Sequence, residues 1–177
     1  MSILITIVLV LTGIIALILV VALFTKKEYV IQREIIIPAS KQKVFDYVKH
    51  IKNQDHYNKW VMMDPNMKKE FKGSDGTVGF IYAWDGNKKA GQGEQEIKEI
   101  TEGERISTEV RFVRPFAGVS GSQIATEYMS GNQTKVKWSF ASNMKYPMNI
   151  MILFINKMLG KDMETSLSNL KAILERN

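Results

Sequence analysis

"EYVIQREIIIPASKQKVFDYVKHIKNQDHYNKW", Glu28 to Trp60, is the stretch whose reading decides the fold. Tyr29 to Ser40 is rich in β-branched residues and ends at Pro38, which predicts a strand and its stop. Ser40 then stands where a helix N-cap belongs. Val44, Phe45, Val48 and Ile51 recur at helical spacing, with Lys41, Lys43, Lys49 and Lys52 on the rest of the surface. A short second helix is expected around Gln54 to Trp60. The segment is a strand followed by a helix pair.

Downstream the pattern changes to a meander. Candidate strands are Met67–Lys72, Val78–Trp84, Gly91–Thr101, Arg105–Arg114, Gln123–Ser130 and Lys135–Ala141. "GSDG", "DGNKKA", "TEGE", "PFAGVSG" and "SGNQT" connect them at hairpin lengths, so neighbours in sequence are expected to pair antiparallel. In "VKWSF", Val136, Trp138 and Phe140 share one face while Lys137 and Ser139 take the other. From Pro147 onward, Met148, Met151, Ile152, Ile155, Leu159, Met163, Leu167, Leu170 and Leu174 describe a long amphipathic helix, which Gly160 is positioned to bend. The expected class is α+β: a curved antiparallel sheet of about seven strands wrapped on a C-terminal helix.

The other end of the chain is different in kind. Ile3 to Phe24 carries no charge, and as a helix it would rise about 33 Å, enough for a hydrocarbon core of roughly 30 Å. Residues 1–25 are read as a single transmembrane anchor and 26–177 as the domain it carries. A cleaved signal peptide is the rival, with Val20-Val21-Ala22 as its cleavage site; the missing basic n-region and the length of the span favour the anchor. Lys26 and Lys27 place the domain on the cytoplasmic side by the positive-inside rule. Only four residues separate Phe24 from Tyr29, so the domain is expected to stay close to the headgroups.

The opening stretch resembles that of the polyketide cyclase/dehydratase-like branch of the SRPBCC superfamily, the START and Bet v 1 helix-grip fold. The residues carrying the likeness are Ile35–Ile37, Pro38-Ala39-Ser40, Val44-Phe45 and Trp60, with "GQGEQEIKEI" and "TKVKWSF" similar to the family's fourth and seventh strands. Where relatives often pair Pro with Trp, this chain has "DHYNKW". The resemblance implies a hydrophobic cavity between sheet and last helix. It implies a ligand that is an apolar small molecule or lipid, and no fixed chemistry.

The residues themselves show little catalytic machinery. There is no Cys, which excludes disulfides and thiolate chemistry. His50 and His56, six positions apart with Asp46 and Asp55 nearby, form no metal motif, and no cofactor is expected. "GVSGS" lacks the final glycine of a nucleophile elbow, and "GQGEQE" lacks the third glycine of a dinucleotide loop; its glycines suggest a bulge or a close backbone approach. Glu94 and Glu96 share a strand face, read as solvated. "NQT" at Asn132 is a sequon only in a glycosylating compartment. The net charge of +6 is spread along the chain without a nucleic-acid motif, so no nucleic-acid partner is expected and no protein partner is indicated. The lysines suit anionic headgroups.

Phe80, Tyr82 and Trp84 are expected to line one face of the sheet, joined by Phe112, Tyr128, Trp138 and Phe140 and faced by Met148, Met151, Ile152 and Ile155 of the last helix. These are the candidate ligand-cavity residues; a closed core is the bland alternative. Three functions remain open. The first is a membrane-tethered binding module for an apolar small molecule or lipid. The second is a cyclase or dehydratase on a similar substrate, for which Tyr82, Tyr128 and Glu109 are the polar candidates. The third is a co-chaperone-like interaction domain.

Overall fold

The computed structural model describes residues 2–176. The chain opens with helix α1 (Ile3–Phe24) and strand β1 (Glu28–Ile37), followed by α2 (Lys41–Lys49), a 3-10 turn (Ile51–Asn53), α3 (Gln54–Tyr57) and α4 (Lys59–Met62). Six strands come next: β2 (Lys68–Lys72), β3 (Ile81–Asp85), β4 (Gln92–Thr101), β5 (Arg105–Arg114), β6 (Gly118–Met129) and β7 (Gln133–Asn143). A 3-10 turn (Met148–Met151) leads into α5 (Ile152–Arg176). The sheet is antiparallel throughout, in the order β1-β7-β6-β5-β4-β3-β2.

Local chemistry explains the boundaries. The Ser40 hydroxyl accepts from the Lys43 amide at 3.4 Å and opens α2. Asn58 is what divides the single helix expected over 54–60: its side chain accepts from the Trp60 amide at 3.0 Å and caps a new start, α4. Asp75, in the β2–β3 turn, accepts from the amides of Ile51 (2.8 Å) and Lys52 (3.3 Å) and so ties the helix pair to the sheet. The glycines of "GVSG" read as a connector, yet Gly118 to Gly121 pair with β5, and β6 starts five residues earlier than expected. Phe80 lies before the start of β3 but still accepts from the Ile97 amide at 3.0 Å.

One face of the sheet packs under the helices. Ile37, Val44, Phe45, Phe80, Ile97, Val136, Met163 and Leu170 are buried there. The other face carries charge: Arg111 is bound to Glu94 at 2.7 Å and Glu96 at 2.8 Å, and also to Glu109. Beside Arg111 the Glu96 carboxyl is held below the usual carboxylate range. Glu94 and Glu96 are thus a surface ion network.

Arg33 is the exception on the inner face. It sits opposite Trp138 in the β1–β7 ladder, under α5. Its guanidinium donates to Glu164 (2.6 Å) and to the Asn156 carbonyl (3.2 Å) and side-chain oxygen (3.1 Å). A β-carbon at residue 160 would overlap that guanidinium, so Gly160 clears a passage for Arg33 while α5 runs through it unbroken.

Candidate ligand groove and anchor joint

The space between sheet and α5 has two unlike halves. Under the C-terminal half it is sealed. Met163, Leu167, Leu170 and Leu174 are buried, and Trp60 meets Trp138 edge to face at 5.8 Å. Trp138 is itself buried and donates its indole N–H to the Ser122 hydroxyl at 2.9 Å.

Toward the end of the sheet where β1 begins, a row of aromatic rings on its inner face is only partly covered. Trp84 meets Phe112 at 6.0 Å and Phe112 meets Phe140 at 6.5 Å, and all three keep some solvent exposure. Gly93 makes this floor possible. A β-carbon there would stand 2.5 Å from the Arg111 carbonyl and 2.8 Å from the Trp84 ring, which therefore lies directly over the β4 backbone. A register shift at Gln92/Gly93 accompanies it. The Trp84 N–H donates to the Ala90 carbonyl at 3.2 Å. At the start of α5, Ile155 is buried, Met151 and Ile152 are half-buried, and Leu153 and Phe154 point outward.

Behind the floor lies a polar row. Gln95 donates to the Thr108 hydroxyl at 2.9 Å, and Thr108 to the Ser122 carbonyl at 3.3 Å. These residues, with Gln54, Val48, Ile51, Ile106 and Ile124, line a hollow of about 10 Å³, room for a single water. A larger recess of about 390 Å³ opens at the rim between the start of α2 and the end of β6, lined by Lys41, Glu104, Arg105 and Tyr128.

The cavity candidates therefore separate. Trp84, Phe112 and Phe140 form the partly covered ring row, while Met151 and Ile152, half-buried, and Ile155, buried, stand at the start of α5. Phe80, Tyr82 and Trp138 are buried in the packed interior. Two are exposed. Tyr128 has inward strand parity, but β6 carries it past the helix layer to 70% exposure at the rim recess. Met148 lies in the 3-10 turn before α5 and is 43% exposed.

The polar candidates also stand apart. Glu109 is on the outer face with Arg111. The Tyr82 hydroxyl donates to Asp55 at 2.7 Å, and Asp55 also binds Lys69 at 2.8 Å, a bridge from α3 to the sheet edge. Burial, then the bond to Asp55, pushes the Tyr82 phenol well above the ordinary tyrosine range. Burial does the same to Tyr57, whose hydroxyl has no hydrogen-bond partner among the described residues. In the unfolded chain both would ionise near pH 10. Their protonated forms are favoured by folding, so that contribution is intact below about pH 10 and lost as pH rises above it. Phenolate absorbance should show two tyrosines silent until unfolding, with the denaturation midpoint falling steeply in that window.

His50 is held locally, its Nδ1 2.8 Å from the Asp46 carbonyl. Among the described residues no three His, Asp or Glu side chains gather as a metal would require.

Asn149 is a functional candidate that the sequence did not mark. It is fully buried, and its amide nitrogen donates to the carbonyls of Ala22 (2.7 Å) and Thr25 (2.8 Å) at the end of α1. Ala22 is buried at this joint while the rest of α1 is almost wholly exposed. Nothing in the periodicity of "YPMNIM" distinguishes this Asn from a turn residue. The signal for Arg33 was present: it is the one charge at an inward position of β1.

Comparison with known proteins agrees with this architecture. Norcoclaurine synthase from Thalictrum flavum, solved with dopamine and hydroxybenzaldehyde, superposes with a TM-score of 0.64 at 16% identity, over 88% of this chain and 91% of that one. Protein CV1439 from Chromobacterium violaceum gives 0.59 at 14%, over 82% and 96%. Aha1 from Colwellia psychrerythraea, solved as a dimer, gives 0.56 at 19%, over 83% and 96%. At these identities the likeness concerns the fold, that of the SRPBCC superfamily. No curated protein sequence matches the chain. The family model for polyketide cyclase/dehydrase and lipid transport matches residues 29–175, which is the strand, helix pair, meander and grip helix described above, and the chain belongs to that family.

Proposed function

We propose that the protein is a membrane-tethered binding module that takes an apolar small molecule or lipid between the first half of α5 and the floor of Trp84, Phe112 and Phe140. The observation that carries this reading is the contrast between the two halves of the interior. The far half is sealed by buried Leu and Trp side chains, whereas the near half leaves three large rings partly bare. Half-covered aromatic surface of this kind gains most from an apolar guest. The half-buried Met151 just before α5 suits a wall that adjusts to its contents. The groove lies at the end of the domain where α1 joins it, so a guest leaving the bilayer would meet it without crossing water.

In this reading α1 spans the membrane. It is the one described helix long and apolar enough to do so by length and composition. Lys26 and Lys27 then set the domain in the cytoplasm.

A cyclase-like enzyme is the second reading. The polar row Gln95–Thr108–Ser122 favours it, since it stands just behind the aromatic floor and could meet a polar group on a guest. Mass spectrometry of the intact chain purified in mild detergent tests the first reading. The expected result is one apolar molecule retained per chain, unchanged in mass on incubation. A protein that carries no guest and takes up none from added lipid would contradict it, and a guest altered in mass would favour the enzyme.

A further inference from the structure

The strand register gathers a particular set of segments at one end of the domain. Glu28 pairs with Asn143, Phe112 with Gly118, and Asp85 with Gln92. The start of β1, the β3–β4 loop, the β5–β6 loop and the link into α5 therefore lie together, next to the end of α1. Phe116, Val119, Leu153 and Phe154 of this end are 66%, 55%, 60% and 71% exposed. Lys26, Lys27, Lys88, Lys89 and Lys145 are exposed around them. Of the carboxylates nearby, Asp85 is paired with Arg114, which leaves Asp64, held by the Asn87 amide at 2.7 Å, and Glu28 against the five lysines. The opposite end carries exposed Val78 and Tyr128, but its turns, "GSDG", "TEGE" and "SGNQT", are polar and no apolar span leaves the domain there.

An apolar centre with a rim of lysines is what a bilayer surface complements. Rings and leucines settle at the headgroup boundary, and each lysine adds roughly 1 kcal/mol near anionic lipid. The apolar span of α1 leaves the domain at this same end. Asn149 holds its last turn against the α5 link, so the span is fixed to the domain rather than trailing from it. From this juxtaposition we infer that the anchor-side end is itself a lipid-docking face. Phe116 of the β5–β6 loop and Leu153 and Phe154 of the first turn of α5 sit in the interfacial layer of the membrane that α1 crosses. The inference rests on the reading of α1 as a membrane span.

The absence of native cysteine makes the test direct. Full-length chains bearing Phe116→Cys, Phe154→Cys or, at the far end, Val78→Cys are labelled with an environment-sensitive fluorophore. They are reconstituted into vesicles of phosphatidylcholine and phosphatidylserine. All three positions are well exposed, so the core is not disturbed. Labels at 116 and 154 should be quenched by lipid-borne spin label and shielded several-fold from aqueous iodide, while the label at 78 stays open to iodide. A carbonate wash reads the tether separately. If the protein resists the wash but 116 and 154 are as open to iodide as 78, the docking face is wrong and the tether stands. If the wash removes the protein, the tether reading fails and the docking face falls with it. Shielding that follows protein density rather than lipid would place a second copy on the face and overturn the lipid assignment.

Discussion

Trp138→Ala is expected to cost the domain about 3–5 kcal/mol of unfolding free energy while leaving the affinity for an apolar fluorescent probe nearly unchanged. Trp138 is buried at the sealed end, edge-on to Trp60, and donates to the Ser122 hydroxyl. Removing it opens a cavity where close packing allows little collapse, and it leaves a buried hydroxyl without its donor. Urea unfolding of the purified chain reads the loss as a lower midpoint at constant slope. A loss of less than about 1 kcal/mol would mean that this end is not packed as described.

The second expected result is the mirror of the first. Trp84→Ala should cost roughly half as much stability, because the ring is only partly withdrawn from water. Probe affinity should fall by about tenfold or more, equivalent to ~1.4 kcal/mol. Trp84 lies over Gly93 with Phe112 at its edge, so its loss removes one end of the groove floor without touching the layer beneath Met163 and Leu167. Phe112→Ala should behave like Trp84→Ala. A full core-sized loss with unchanged probe binding would turn this end into ordinary core.

The sheet and its last helix were legible because their signals are periodic. Alternation in "VKWSF" sorts side chains between two faces without knowledge of the partner strand, and the three- and four-residue spacing from Met151 to Leu174 does the same for α5. Boundaries were legible only where one residue type dominates. Ser40 announced α2, but Asn58 was hidden inside an unbroken helical pattern, and the glycines of "GVSG" disguised paired strand as a turn. "GQGEQE" was read as a bulge or a close approach, and Gly93 is both. Contacts far apart in sequence left little trace. Arg33 and Gly160 lie 127 positions apart, as do Ala22 and Asn149, and no local pattern couples either pair. Tyr128 shows the limit of parity: alternation gives the face of a strand, not how far the covering layer extends over it.

The groove can be tested at its own address. The intact chain in vesicles is incubated with a fatty acid bearing a photoreactive diazirine, irradiated and digested, and the modified residues are located by mass spectrometry. The account predicts adducts on the floor strands around Trp84, Phe112 and Phe140 and on Met151 to Leu159 of the covering helix, displaced by excess unlabelled fatty acid. Adducts confined to α1 and the exposed rings Phe116 and Phe154, with the floor unmodified, would show lipid contact without a bound guest and would contradict it.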